Sequence, residues 1–323
     1  MPPVDRNKPK RAATSDSRYS LMEFMREFPE DAPCLEWLWR NRYADDGTHA
    51  VCPKCAVERA FKRYDTATRR QSWTCTGCGY HLHPTAGTIF HKSSTSLHLW
   101  FYAMYLMTST RCCISAKQLQ RELGVTYKTA WRMFNLIRNE LMAQDDNPLS
   151  GEVEADETFV GGKMRNADRR RRAAQGVHPN TPHNDRKAVV FGVVERKGSI
   201  RAEVVPDSRA ATVQGKVHEF VLPDSTVFTD DYPGYHGLRK GYTHVRVNHS
   251  ARIWVDGNVH TQTIEGFFGL FKTGVRGVYH AVSHKWLQGY LNKYVWRYNH
   301  RDRTSGETQF RLLRGRAASV VIG

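Results

Sequence analysis

Residues 152–160, Glu152-Val-Glu-Ala-Asp-Glu-Thr-Phe-Val160, decide how the second half of the chain is read. Strand side chains alternate between two faces. Glu154, Asp156 and Thr158 therefore share one face, and Val153, Ala155, Glu157 and Phe159 the other. The stretch closes on Gly161-Gly162, and a hairpin signal follows. Residues 188–194 are β-branched and apolar, Arg196-Lys-Gly-Ser199 makes the turn, and residues 200–205 form the return strand. Residues 210–220 read as a helix, 225–229 as a short apolar strand, and 261–271 and 286–298 as helices. Three strands, a crossover helix, a fourth strand and then helices predict a mixed α/β domain, placed here at 150–312.

Upstream the pattern differs. Residues 1–20 are rich in Lys, Arg, Pro and Ser, with no apolar core of a signal peptide, and read as a disordered basic arm. Residues 21–48 carry apolar positions that suggest short amphipathic helices broken by Pro29 and Pro33. A cysteine-bearing segment covers 49–92 and a helical one 93–144. The polar, proline-containing run Gln144-Asp-Asp-Asn-Pro-Leu-Ser150 separates them from the strands.

The chain has 323 residues, 48 Lys and Arg against 32 acidic residues, and a net charge of +16. Such a field favours polyanionic partners, nucleic acid first, because basic side chains release counterions from phosphates. A basic but inert surface is the alternative on charge alone. The longest apolar run, Leu97–Met107, is interrupted by His98 and is too short to span a bilayer. A membrane role is therefore not expected. The cysteine usage points to a reducing cytoplasm rather than to a secreted disulfide framework.

Cys52-Pro-Lys-Cys55 and Cys75-Thr-Gly-Cys78 are separated by 19 residues. Two such knuckles supply four thiolates to one tetrahedral Zn²⁺ with no open position, which is a structural site. His81 and His83 are expected at the surface, and Cys34, Cys112 and Cys113 as small apolar residues. Residues 115–123 read as a helix, Gly124 as a turn, and Thr126 as the N-cap of a second helix. Ala130, Phe134, Ile137 and Leu141 face inward there, and Tyr127, Lys128, Arg132, Asn135 and Arg138 outward. That is a helix-turn-helix pattern, with an ordinary packed helical hairpin as the alternative.

Three acids carry the chemistry: Asp156 within its strand, Asp230 ending the strand Val227-Phe-Thr-Asp, and Glu265 on the helix beside Ile264, Phe267, Phe268 and Phe271. Converging carboxylates repel one another unless a cation neutralises them. Oxygen-only ligation suits Mg²⁺, and two such ions serve phosphoryl transfer. Lys272, seven residues after Glu265, lies two turns further on nearly the same helix face. Between Lys163 and Lys187, the residues Lys163, Arg165, Arg169, Arg170, Arg171, Arg172, Arg186 and Lys187 form a basic insertion suited to tracking DNA phosphates, or else a solvated loop.

Several runs together resemble the DDE transposases of bacterial insertion sequences. They are Glu154-Ala-Asp-Glu-Thr-Phe-Val-Gly-Gly-Lys163, Thr229-Asp-Asp-Tyr232 with Tyr235, His244-Val-Arg-Val-Asn-His249, and His260-Thr-Gln-Thr-Ile-Glu-Gly-Phe-Phe-Gly-Leu-Phe-Lys272. Arg276-Gly-Val-Tyr-His280 and Tyr298-Asn-His-Arg301 extend the likeness, which covers roughly residues 30 to 312. More narrowly the chain is similar to the subgroup with an N-terminal zinc ribbon, here followed by Thr85-Ala-Gly-Thr-Ile-Phe-His91. The resemblance implies an RNase-H-like catalytic fold, Asp156, Asp230 and Glu265 as the catalytic, Mg²⁺-holding acids (Mn²⁺ able to substitute), and one Zn²⁺ on Cys52, Cys55, Cys75 and Cys78. It implies double-stranded DNA as partner, with Lys128, Arg132, Lys163, Arg169–Arg172, Lys272 and Arg276 as contacts, and an oligomer, at least a dimer, on DNA in the nucleoid. The 34 residues between Asp230 and Glu265 match the short gap of such enzymes. Asp231 stands where relatives often have a small residue, and the strand-end position favours Asp230 over it. The expected activity is 3′-end cleavage at terminal inverted repeats followed by strand transfer. The rivals are a DNA-binding regulator with a dead catalytic domain and a nuclease that only hydrolyses.

Overall fold

The computed structural model describes residues 19–64, 72–110, 113–161, 170–171, 173–176, 187–247, 260–301 and 306–320. It divides into two compact units: residues 1–141 with 301–323, and residues 142–300. The basic arm before Tyr19 lies outside the described residues.

In the first unit, helices α1 (Leu21–Glu27) and α2 (Asp31–Arg42) lead into four strands, β1 (His49–Val51), β2 (Glu58–Tyr64), β3 (Ser72–Cys75) and β4 (His81–Leu82), paired antiparallel in that order. Pro33 does not break a helix as its sequence suggests. It sits in the first turn of α2, where backbone N–H groups have no intrahelical partner and their loss costs nothing. Helices α3 (Leu97–Ser109), α4 (Ala116–Leu123) and α5 (Tyr127–Leu136) follow, and a π-helical turn (Ile137–Leu141) ends the segment. Ser115 and Thr126 cap α4 and α5 by accepting from Gln118 and Thr129 N–H, with left-handed Gly124 between them. Arg138 is a correction. It is fully buried rather than outward, its guanidinium donating to the Phe134 carbonyl and the Asn135 side chain and lying 4.1 Å from the Phe134 ring centroid.

The last helix of the chain, Gly306–Ser319, returns to this unit and packs on α3 and α2. Phe310 is buried among Tyr19, Phe24, Phe28 and Tyr105, and Arg314 pairs with Glu27 at 2.6 Å. Residues past His300, expected from sequence to finish the α/β domain, are therefore grouped with the first unit instead.

The second unit is the mixed α/β part. Strands β5 (Glu152–Val160), β6 (Ala188–Glu195) and β7 (Ile200–Val205) run antiparallel in succession. Helix α6 (Ala210–Phe220) crosses over to β8 (Thr226–Thr229), parallel to β5, and β9 (Thr243–Arg246) is parallel to β8. The sheet order is β7-β6-β5-β8-β9. A 3₁₀ helix (Pro233–Lys240) joins β8 to β9, and helices α7 (Gln262–Gly274) and α8 (His284–Asn299) follow, the Gly306–Ser319 helix being α9. One sheet face buries Val153, Ala155, Phe191 and Val193 against Val213, Val217, Phe220, Tyr235 and Leu238. On the other face α7 packs over β5 and β6 and α8 over β7. The approach of α7 depends on Gly192: a Cβ there would stand 3.0 Å from both Ile264 and Phe268, tighter than ordinary van der Waals contact. No helix among the described residues is long and apolar enough to cross a membrane.

Candidate active site

Register places the first two acids side by side. In the parallel pair, Glu154 lies opposite Phe228; two residues further along each strand stand Asp156 and Asp230. Adjacent strands are ~4.8 Å apart and equivalent positions point to the same face, so both carboxyl groups meet at the carboxyl end of β8. Gly192 is Asp156's partner on the other side. The helix admitted by that glycine is the one that carries Glu265, whose carboxylate is exposed and accepts from the Thr261 hydroxyl at 2.7 Å.

The electrostatics register this convergence. Burial first, then the neighbouring charges of Glu157, Asp230 and Glu265, push the Asp156 carboxyl from 3.8 up to about 8, against a hydrogen bond from Glu157 N–H. Glu157 is also raised, by burial first and by Asp230, while a hydrogen bond from Tyr235 opposes the rise. Tyr235 lies on the opposite sheet face, as the alternation predicts, and its hydroxyl donates to Glu157. Asp230 acts on both Asp156 and Glu157. Asp230 also accepts from Tyr232 N–H at 3.1 Å, which fixes the turn after β8.

Glu154 was overlooked by the sequence reading as a functional residue. It is fully buried, yet its carboxylate accepts from Thr263 N–H at 2.8 Å, Ile264 N–H at 3.1 Å and the Thr263 hydroxyl at 3.0 Å. Thr261, the N-cap of α7, makes no side-chain cap of its own. A carboxylate from β5 thus caps the helix across the fold, where orphan N–H groups and the helix dipole both favour negative charge. Arg196 balances it, with Nε 3.0 Å from Glu154, another nitrogen 2.9 Å from the His260 carbonyl, and its guanidinium 3.9 Å from the Phe228 centroid. Residues two apart on one strand therefore hold Asp156 and the start of the Glu265 helix in fixed relation. The signal in the sequence is an acid sharing the inward face of Asp156; the turn sequence around Arg196 carries no sign of this pairing.

Residues 148–299 match the family described as the ISXO2-like transposase domain. The second unit matches that domain over nearly its whole length. A protein of transposable element ISH50 in Halobacterium salinarum, described as uncharacterized, is 29% identical over 269 residues, 80% of this chain and 86% of that protein. An uncharacterized transposase-like protein of Haemophilus influenzae is 28% identical over 107 residues, 33% of this chain and 85% of that protein. The chain is thus related to insertion-sequence transposases, a DNA-processing family.

Basic residues expected at DNA fall into three groups. Lys128 and Arg132 are exposed on α5 of the first unit. In the second unit Lys272 is half-buried; burial lowers its pKa, Asp156 opposes, and Arg276 and Lys187 add to the lowering, so Lys272 stands within reach of Asp156 and of two further cations. Arg170 and Arg171 are exposed, whereas Lys163, Arg165, Arg169, Arg172 and Arg186 lie outside the described residues.

The cysteine cluster in the first unit is closed. Cys52, Cys55, Cys75 and Cys78 offer sulfurs all within 4.8 Å of one another and could hold a zinc ion. Cys52 Sγ is 3.6 Å from Cys78 Sγ and accepts from Cys55 N–H. Burial opposes the Cys52 thiolate, but N–H groups of Cys55 and Lys54 and the Cys78 and Cys75 thiols outweigh it and bring it down to about 7. Among the described residues these four are the set whose ligand atoms lie that close. The acids form a looser group. Their oxygen-only donors and mutual repulsion nevertheless fit divalent cations of the Mg²⁺ kind.

Proposed function

We propose that this chain is the transposase of an insertion sequence, binding the element's terminal inverted repeats and catalysing 3′-end cleavage and strand transfer into target DNA. Asp156, Asp230 and Glu265 are the catalytic acids and hold two Mg²⁺ ions, with Mn²⁺ as a substitute. When bound, such ions activate the attacking oxygen and stabilise the leaving one in an in-line displacement. Water and then the freed 3′-hydroxyl are the nucleophiles, and no covalent enzyme intermediate forms. The protein's own part is to hold three carboxylates in register: β5 and β8 align Asp156 with Asp230, and Glu154 pins the helix that brings Glu265. Lys272, Arg276 and Lys187 draw the phosphate backbone toward this acid group.

The mixed sheet with helices on both faces supports an RNase-H-like fold for this domain. The four-cysteine sheet is read as a structural zinc ribbon, α4 and α5 as the helix-turn-helix that meets DNA through Lys128 and Arg132, and the working form as an oligomer on DNA. The observation that carries the proposal is the parallel β5–β8 register, which sets Asp230 level with Asp156.

Asp156→Asn, Asp230→Asn and Glu265→Gln should each abolish cleavage and strand transfer on donor DNA carrying the element's ends, with DNA binding retained. Double variants should be hardly worse than singles, because the acids act as one unit. Asp231→Asn should keep most activity. Cutting by all three single variants would return the chain to a regulator. Cutting without joining by the wild type would make it a hydrolytic nuclease.

A further inference from the structure

Beside the acids lies a hollow that the chemistry above leaves unused. Asp231, Arg239, His244, Val245, Arg246 and Val247 line a cavity of about 430 Å³ along β9, the edge strand of the sheet. It adjoins the site directly: Asp231 follows Asp230, and the His244 ring is hydrogen-bonded at 2.9 Å to Thr229, the residue before Asp230.

The hollow has an excess of cations. Arg239 and Arg246 are both exposed, and Arg239 makes no hydrogen bond or ion pair with any described residue. Arg246 stands 2.8 Å from the His236 ring, a partner that brings no negative charge. Burial first, then Arg246, Arg239 and His236, hold the His244 imidazole down at about 4, so three basic groups converge on a neutral ring. Among the described residues Asp231 is the one carboxylate lining the cavity, against two guanidinium groups. Guanidinium forks match oxyanions with spread charge, and phosphodiesters above all. Two such groups at an exposed strand edge raise the local attraction for a polyanion.

We propose that Arg239 and Arg246 seat a backbone phosphate of the DNA at the β9 edge. This inference rests on the transposase reading.

Phosphate contacts are independent of sequence, so the test uses a fluorescent duplex of arbitrary sequence and the full-length protein, with affinity followed against salt concentration. The Arg239→Ala/Arg246→Ala double variant should lower the slope of log affinity against log salt by ~0.9, the contribution of one neutralised phosphate. The Arg239→Lys/Arg246→Lys pair should restore it. Lys240→Ala, an exposed neighbour that does not line the hollow, should leave the slope close to wild type. A slope unchanged in the alanine pair overturns the inference and leaves the transposase reading standing. An equal loss in Lys240→Ala also overturns it, since the effect is then diffuse charge. A wild-type protein without salt-dependent DNA binding removes the transposase reading and this inference together.

Discussion

The cysteine cage and the acid group both crowd ligand atoms of like charge, yet they are assembled in different ways. Cys52, Cys55, Cys75 and Cys78 come from one short antiparallel sheet, and their sulfurs already lie within 4.8 Å of one another. Asp156, Asp230 and Glu265 come from two strands and a helix far apart in sequence, and they stay looser, with Glu265 exposed and tied to Thr261. A closed cage suits an ion that only holds a fold together. An open group of acids suits ions that must share their coordination with a substrate.

If the cage carries the fold of its sheet, removing its ion is the most disruptive change available. Structural zinc sites contribute roughly 10 kcal/mol of apparent folding free energy. Cys52→Ser or Cys75→Ser should lose the bound zinc and melt the first unit's sheet, while hydrogen exchange in β5–β8 stays protected. Purified protein with no zinc, and a melting curve indifferent to EDTA, would sink the comparison at its first term.

The acid group depends instead on a polar strut. Glu154→Ala removes the buried carboxylate from Arg196, which has 11% of its side chain exposed and keeps Glu152 at 3.4 Å, and returns two α7 N–H groups to an uncapped state. Breaking one side of a buried pair costs about 3–5 kcal/mol, measurable by urea denaturation of the second unit. Glu154→Gln keeps an acceptor for the N–H groups and should cost less. Equal and negligible losses would mean that α7 is held by Ile264, Phe267 and Phe268 alone.

A smaller effect has the opposite sign. In metal-free protein the folded state keeps Asp156 protonated up to about pH 8, whereas the unfolded chain releases that proton near 3.8. The folded state then binds more protons across this window, so stability falls as pH rises through it. Asp156→Asn should shrink that slope and stabilise the metal-free second unit at pH 7 by at least ~1 kcal/mol. Added Mg²⁺ should flatten the wild-type slope as well. Wild type and variant with identical slopes between pH 4 and 8 would show that the carboxyl is not held against its charge.

The same contrast explains what could be read in advance. The cysteine pairs were legible because a knuckle is a local motif whose spacing states its geometry. Strands β6 and β7 were legible because a short turn forces neighbours in sequence to pair. Pro33 and Arg138 were misread for related reasons: a helix's first turn tolerates proline, and a long side chain can fold back over Phe134 although its Cβ sits on the outer face.

By itself the sequence determined the alternation that puts Asp156 and Glu154 on one face of β5, the caps of α4 and α5, and the four-cysteine ligand set. These are consequences of side-chain period and short-range hydrogen bonding. Tertiary structure alone decided that Asp230 stands level with Asp156, because parallel register is set by a crossover and not by local pattern. It also decided that Glu154 serves as the cap of α7 and that the last helix completes the first unit around Phe310. Buried charge and apolar surface find their partners wherever the fold brings them, and no spacing in the chain encodes that distance.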